Sequence, residues 1–116
     1  MRISYYKILD REFKIIREYL YQEIGVSLNI KDIISHVIHK TKIYPEDYLP
    51  STAKNIEKNM FPIKSIDIDD MISRELKEIK NGISGLLPNM PLLITTLVKN
   101  YAVNVHKKIN RHHLHH

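Results

Sequence analysis

The sequence predicts a mainly α protein with one short antiparallel β-ribbon, built from two β-α-α units that share a core. Three observations predict it. Apolar residues recur at helical spacing in four stretches, and two short stretches ahead of them read as strands. The whole pattern returns after sixty residues: Asp10 falls on Asp70, Gly25 on Gly85 and Asn29 on Asn89, while Ile33, Ile34, Val37 and Ile38 fall on Leu93, Ile94, Leu97 and Val98. Finally, a unit this short cannot bury its own apolar face, so the two copies must pack on one another.

In the first unit, residues 2–9 read as a strand and Asp10 to Ile24 as a helix. Asp10 is the expected N-cap, since its carboxylate can accept free first-turn amides. Phe13, Ile16, Leu20 and Ile24 form the expected buried stripe, and Gly25 suits the left-handed position that ends a helix. Ser27 or Asn29 then caps a second helix to about Lys42, with Ile30, Ile33, Ile34, Val37 and Ile38 on its inner face. This unit spans residues 1–42.

Residues 43–62 read as a connector holding Pro45, Pro50 and Pro62, with a possible short helix over Ser51 to Asn59. The second unit, residues 63–109, has a strand over Ile63 to Ile68 and a helix capped by Asp69 or Asp70 with Ile72, Leu76 and Ile79 inward. A break over residues 81–85 follows. Asn89, with Pro91 in the first turn, then starts a last helix with Ile94, Leu97, Val98, Tyr101 and Val105 inward. Residues 110–116, with His112, His113, His115 and His116, read as a frayed His-rich tail.

Composition narrows the function. The chain has no cysteine, which excludes disulfides and thiolate metal sites. Its longest apolar stretch is too short to cross a bilayer, and nothing resembles a signal peptide, so an intracellular setting is expected. A net charge of +5 permits contact with a polyanion. There is no phosphate-binding glycine loop and no nucleophile motif, so neither an enzyme nor a cofactor is expected. His36 and His39, three apart on a helix, read as rim residues rather than metal ligands.

A strand, a helix, a glycine turn and a second helix in about forty residues resemble the ribbon-helix-helix family of DNA-binding proteins. The carrying residues in the first unit are Arg2-Ile3-Ser4-Tyr5-Tyr6-Lys7, the cap Asp10, and the turn Gly25-Val26-Ser27-Leu28-Asn29. Two units in one chain further resemble the tandem regulators of filamentous viruses of archaea, which implies the host cytoplasm. The resemblance implies a transcription regulator whose β-ribbon enters the major groove of double-stranded DNA. It implies base contacts from the outward strand residues and phosphate contacts near the start of the second helix, from Ser27, Asn29 and Lys31. Asn89 and Met90 hold the corresponding place in the second unit.

Two matters stay open at this level. Counting back from Asp10 puts Arg2, Ser4 and Tyr6 outward and Ile3 and Tyr5 inward, whereas matching the strands at sixty residues gives the opposite phase. The first phase is preferred, making Arg2, Ser4 and Tyr6 the base-contacting candidates, with Lys7 reaching a phosphate from the edge. The ribbon can also form within one chain or between the first strands of two chains, as a homodimer. Asp67 is expected to face outward beside Ser65, so the first unit is the expected reader and the second a structural partner. The competing reading is a protein-interaction module without a DNA role, such as an antitoxin-like partner binder or a viral structural component.

Overall fold

The computed structural model describes residues 1–49, 63–83 and 90–114. It is mainly helical with one two-stranded antiparallel sheet. In order, the elements are β1 (Arg2–Tyr6), a 3-10 turn (Lys7–Leu9), α1 (Asp10–Ile24), α2 (Ile30–Ile43) and α3 (Pro45–Tyr48), then β2 (Ile63–Asp67), α4 (Asp70–Gly82) and α5 (Met90–Leu114).

The helices interlock. α1 packs mainly against α5, and α4 against α2, so the first helix of each half lies on the second helix of the other. Neither half therefore has a core of its own. Three polar contacts run in order along the α2–α4 seam: the Lys31–Asp69 ion pair, the His39–Glu75 hydrogen bond and the Lys42–Glu78 ion pair. Both helices thus point the same way.

Helix starts keep the sixty-residue spacing, with Asp10 matching Asp70 and Ile30 matching Met90. The strands do not. Three residues separate β1 from α1, whereas only Ile68 and Asp69 separate β2 from α4. The extra residue is absorbed by the 3-10 turn, which buries Leu9 completely. This one-residue slip resolves the conflict of phases, because β1 and β2 are related by a different offset from the helices behind them. It also displaces the expected cap. Leu9 is the N-cap residue of α1, and Asp10 lies inside the first turn without a capping hydrogen bond. There Asp10 and Glu12 face the positive end of the helix dipole.

The other local expectations divide. Gly25 adopts φ 72° and its N–H donates to the Tyr21 carbonyl at 2.8 Å, closing α1. Asn29 caps α2, its Oδ1 accepting the Asp32 N–H at 2.8 Å. Phe13, Ile16 and Leu20 are buried, but Ile24 is 57% exposed because the last turn of α1 outruns the core. Ile33, Ile34, Val37 and Ile38 are all buried, as are Leu76 and Ile79 of α4. Asp69 holds the cap position of α4 but makes no capping bond.

α5 departs most from expectation. Instead of one stripe, every residue from Leu92 to Val98 is buried, which is the mark of a helix surrounded on all sides. β1, α1, α2 and α3 all pack on it. Each fully buried aliphatic there contributes about 1.5–3 kcal/mol. α5 also continues as helix to Leu114, so 110–114 is not the frayed segment expected.

The start of the connector is structured. α3 is held by α5, whose Asn100 and Asn104 side-chain amides donate to the Tyr48 and Asp47 carbonyls at 2.8 and 2.9 Å. The Tyr48 ring stacks on Tyr101, with centroids 5.2 Å apart. The helix expected over Ser51 to Asn59, and the expected cap Asn89, lie outside the described residues.

Candidate nucleic-acid interface

The ribbon forms within one chain. β1 and β2 pair antiparallel, with Arg2 opposite Asp67, Ile3 opposite Ile66, Ser4 opposite Ser65, Tyr5 opposite Lys64 and Tyr6 opposite Ile63. Ile3 and Tyr5 are buried, and the Tyr5 ring meets Phe13 of α1 edge-on at 5.5 Å. Arg2 and Asp67 are exposed and Ser4 is half-buried. The phase is therefore the one counted back from α1. A two-stranded ribbon is marginal by itself; here α5 lies beneath β1 and supports it.

The hydrogen-bond ladder orders the outer face. Ile68 N–H donates to the Met1 carbonyl at 2.9 Å and the Met1 amine to the Ile68 carbonyl at 3.2 Å, so these two residues exchange both bonds. Bonded and non-bonded pairs alternate along an antiparallel ladder, which makes Arg2–Asp67, Ser4–Ser65 and Tyr6–Ile63 the non-bonded pairs. Side chains approach most closely at such pairs. The Ser4 and Ser65 hydroxyl oxygens lie 3.3 Å apart, in hydrogen-bond reach.

The expected base-contacting set is thus divided. Arg2 and Ser4 share the outer face. Tyr6 does not present itself there: it is only 6% exposed, while Ile63 opposite is 56% exposed. Tyr6 is the last residue before the 3-10 turn, and at that junction strand alternation no longer decides burial.

The expected phosphate contacts lie in two places. Lys7 is exposed in the 3-10 turn, at the Tyr6–Ile63 end. Ser27 is exposed in the α1–α2 turn, where the Arg17 guanidinium donates to the Leu28 carbonyl at 2.8 Å. The Asn29 side-chain Oδ1 is committed to the cap. Lys31 is not a free cation, because its Nζ lies 3.4 Å from Asp69 Oδ1. That contact nevertheless brings the start of α2 beside the β2–α4 junction, and hence toward the Arg2–Asp67 end of the ribbon. Spacing in the sequence carries no signal of this pairing, since its partners are 38 positions apart and belong to different halves.

Tertiary packing also gives the two helical histidines roles that spacing concealed. His36 Nε2 lies 2.8 Å from the Tyr101 hydroxyl, and burial, with Lys40 and His39 adding to it, lowers the His36 pKa. His39 Nδ1 meets the Glu75 carboxylate at 3.0 Å. Among the described residues no three ligand-type side chains converge as a metal site, and no helix is long and apolar enough to cross a membrane.

A second surface feature is a cleft of about 560 Å³ between α1 and α5. Its rim carries Arg11, Lys99 and Lys107, and its apolar wall carries Ile15 and Val103. Lys99 also holds Glu12 at 3.4 Å.

Comparison with family models, curated proteins and solved structures found no match to this chain.

Proposed function

We propose that this protein is a tandem ribbon-helix-helix regulator that binds double-stranded DNA by laying its β1–β2 ribbon in the major groove. The observation that carries the reading is the exposed outer face of a ribbon two strands wide, backed by interlocked helices of both halves. A ribbon of that width fits the major groove of B-DNA. Arg2 and Ser4 are the base-reading candidates of the first strand. Lys7, exposed at the far end, is the phosphate-contacting candidate there.

Because Arg2 and Asp67 oppose one another, the ribbon face contributes little net charge. Affinity must therefore come chiefly from phosphate contacts, and the net charge of +5 supplies the cations for them. The expected result is duplex binding whose log affinity falls linearly with log salt. A mobility-shift series on mixed genomic fragments, run from low to physiological salt, tests the reading. No binding even at low salt would remove it.

One observation favours a second reading, an interaction module. The α1–α5 cleft joins a basic rim to the apolar Ile15 and Val103, with Val103 54% exposed, a combination suited to an acidic amphipathic segment of another protein. Loss of partner capture on Val103→Asp, with DNA binding intact, would assign that role to the cleft.

A further inference from the structure

The two ends of the ribbon are chemically unlike. Its middle is the Ser4–Ser65 pair; one step outward lies Arg2 opposite Asp67, and one step the other way Tyr6 opposite Ile63. One end therefore offers a cation and an anion side by side. The other offers an exposed isoleucine beside a buried tyrosine. A ribbon made by two identical chains must present the same residues at both ends, which is why symmetric readers bind symmetric sites. A ribbon closed within one chain is free of that constraint.

The charged end is also held firmly. Met1 and Ile68 exchange two backbone hydrogen bonds immediately beyond it, and the Ser73 hydroxyl of α4 donates to the Met1 sulfur. Arg2 and Asp67 thus sit one pair inside a closed ladder, not on a fraying end. They form a non-bonded pair, with Cα atoms about 4.5 Å apart. Both are exposed, and neither makes an ion pair among the described residues.

We infer that the ribbon reads a duplex without internal two-fold symmetry, with Arg2 and Asp67 together selecting one G·C pair at one end of the site. This rests on the DNA-binding reading above. A G·C pair shows the major groove two acceptors, guanine N7 and O6, and one donor, the cytosine amino group. An arginine supplies two donors for the first two, and a carboxylate accepts from the third. On an A·T pair the same carboxylate would meet the thymine O4 acceptor, and the arginine the adenine amino donor. Asp67 is then a specificity residue, and the second strand is a reader alongside the first. The repulsion between Asp67 and the phosphates is offset by Arg2 beside it.

Selection from a random-sequence duplex pool, followed by affinity measurements on the selected site, tests this. The expected consensus is non-palindromic and contains one G·C pair whose replacement by A·T weakens binding about tenfold or more. Arg2→Ala should relax preference at that pair alone. Asp67→Asn should move the preferred base from cytosine toward adenine, because a carboxamide pairs with adenine N6 and N7. Both positions are exposed, and unchanged thermal midpoints verify that the variants fold. A palindromic consensus, or a base preference unmoved by both substitutions, overturns the inference while DNA binding stands. No enrichment together with no binding at low salt overturns the DNA-binding reading and this inference with it.

Discussion

The His36 imidazole and the Tyr101 hydroxyl meet at 2.8 Å, joining α2 to α5 where the second helices of the two halves cross. Their rings stand edge to face at 5.5 Å, and Tyr48 stacks on Tyr101. A neutral imidazole can accept the phenol proton at Nε2; a protonated one cannot.

This pair predicts a stability plateau bounded on both sides. Burial lowers the His36 pKa from its ordinary 6.5, so the unfolded chain binds the proton more readily. Stability from this group is present above about pH 6.5 and is lost as pH falls toward the folded-state value. Burial raises the Tyr101 pKa, so its stability is present below the ordinary value of 10.0 and is lost as pH rises beyond it. Urea midpoints measured across pH should fall at both ends, and His36→Gln should flatten the acid limb. An acid limb unchanged by that substitution would refute the assignment.

Tyr101→Phe removes the hydroxyl and keeps the stack on Tyr48. It should cost about 1 kcal/mol, the usual net value of one hydrogen bond. Tyr101→Ala also opens a cavity at the α2–α5 crossing and should cost about 3–5 kcal/mol. Denaturant unfolding of the two variants separates the hydrogen bond from the packing.

Two glycines should respond in opposite directions. Gly25 has φ 72° with no atom within 4 Å of an added Cβ, so the cost of Gly25→Ala is purely conformational, about 1–2 kcal/mol. Gly82 ends α4 at an ordinary φ with equally open space. Gly82→Ala should stabilise by about 0.4–1 kcal/mol by restricting the unfolded chain. Thermal midpoints shifting the same way would contradict this account.

Because β1 pairs with β2 of its own chain, the ribbon is complete without a second copy. The unfolding midpoint should stay constant over a roughly hundredfold range of protein concentration, whereas an obligate dimer would show it rising.

Much of the helical framework could be read locally. Phe13, Ile16 and Leu20, the left-handed Gly25 and the Asn29 cap lie where periodicity and punctuation put them, because each depends on neighbours within a turn or two. The candidate site was less legible. Arg2 and Ser4 are on the expected face, but Tyr6 is buried at a strand-to-turn junction and Lys31 is paired with a residue of the other half. The repeat also hid an inequality: α2 buries one face, while its counterpart α5 is enclosed on all sides through its first turns.

By itself the sequence determined a mainly α chain, the order of the four longer helices α1, α2, α4 and α5, and a two-strand ribbon with most of its inward residues, but not the short α3. Those follow from short-range sterics, capping and apolar spacing. Only the tertiary structure decided that the strands pair within one chain, that a 3-10 turn absorbs the one-residue slip between strand and helix, and that Arg2 stands opposite Asp67. The reason is physical: register and partnership depend on contacts between residues about sixty positions apart, which no local spacing or cap encodes.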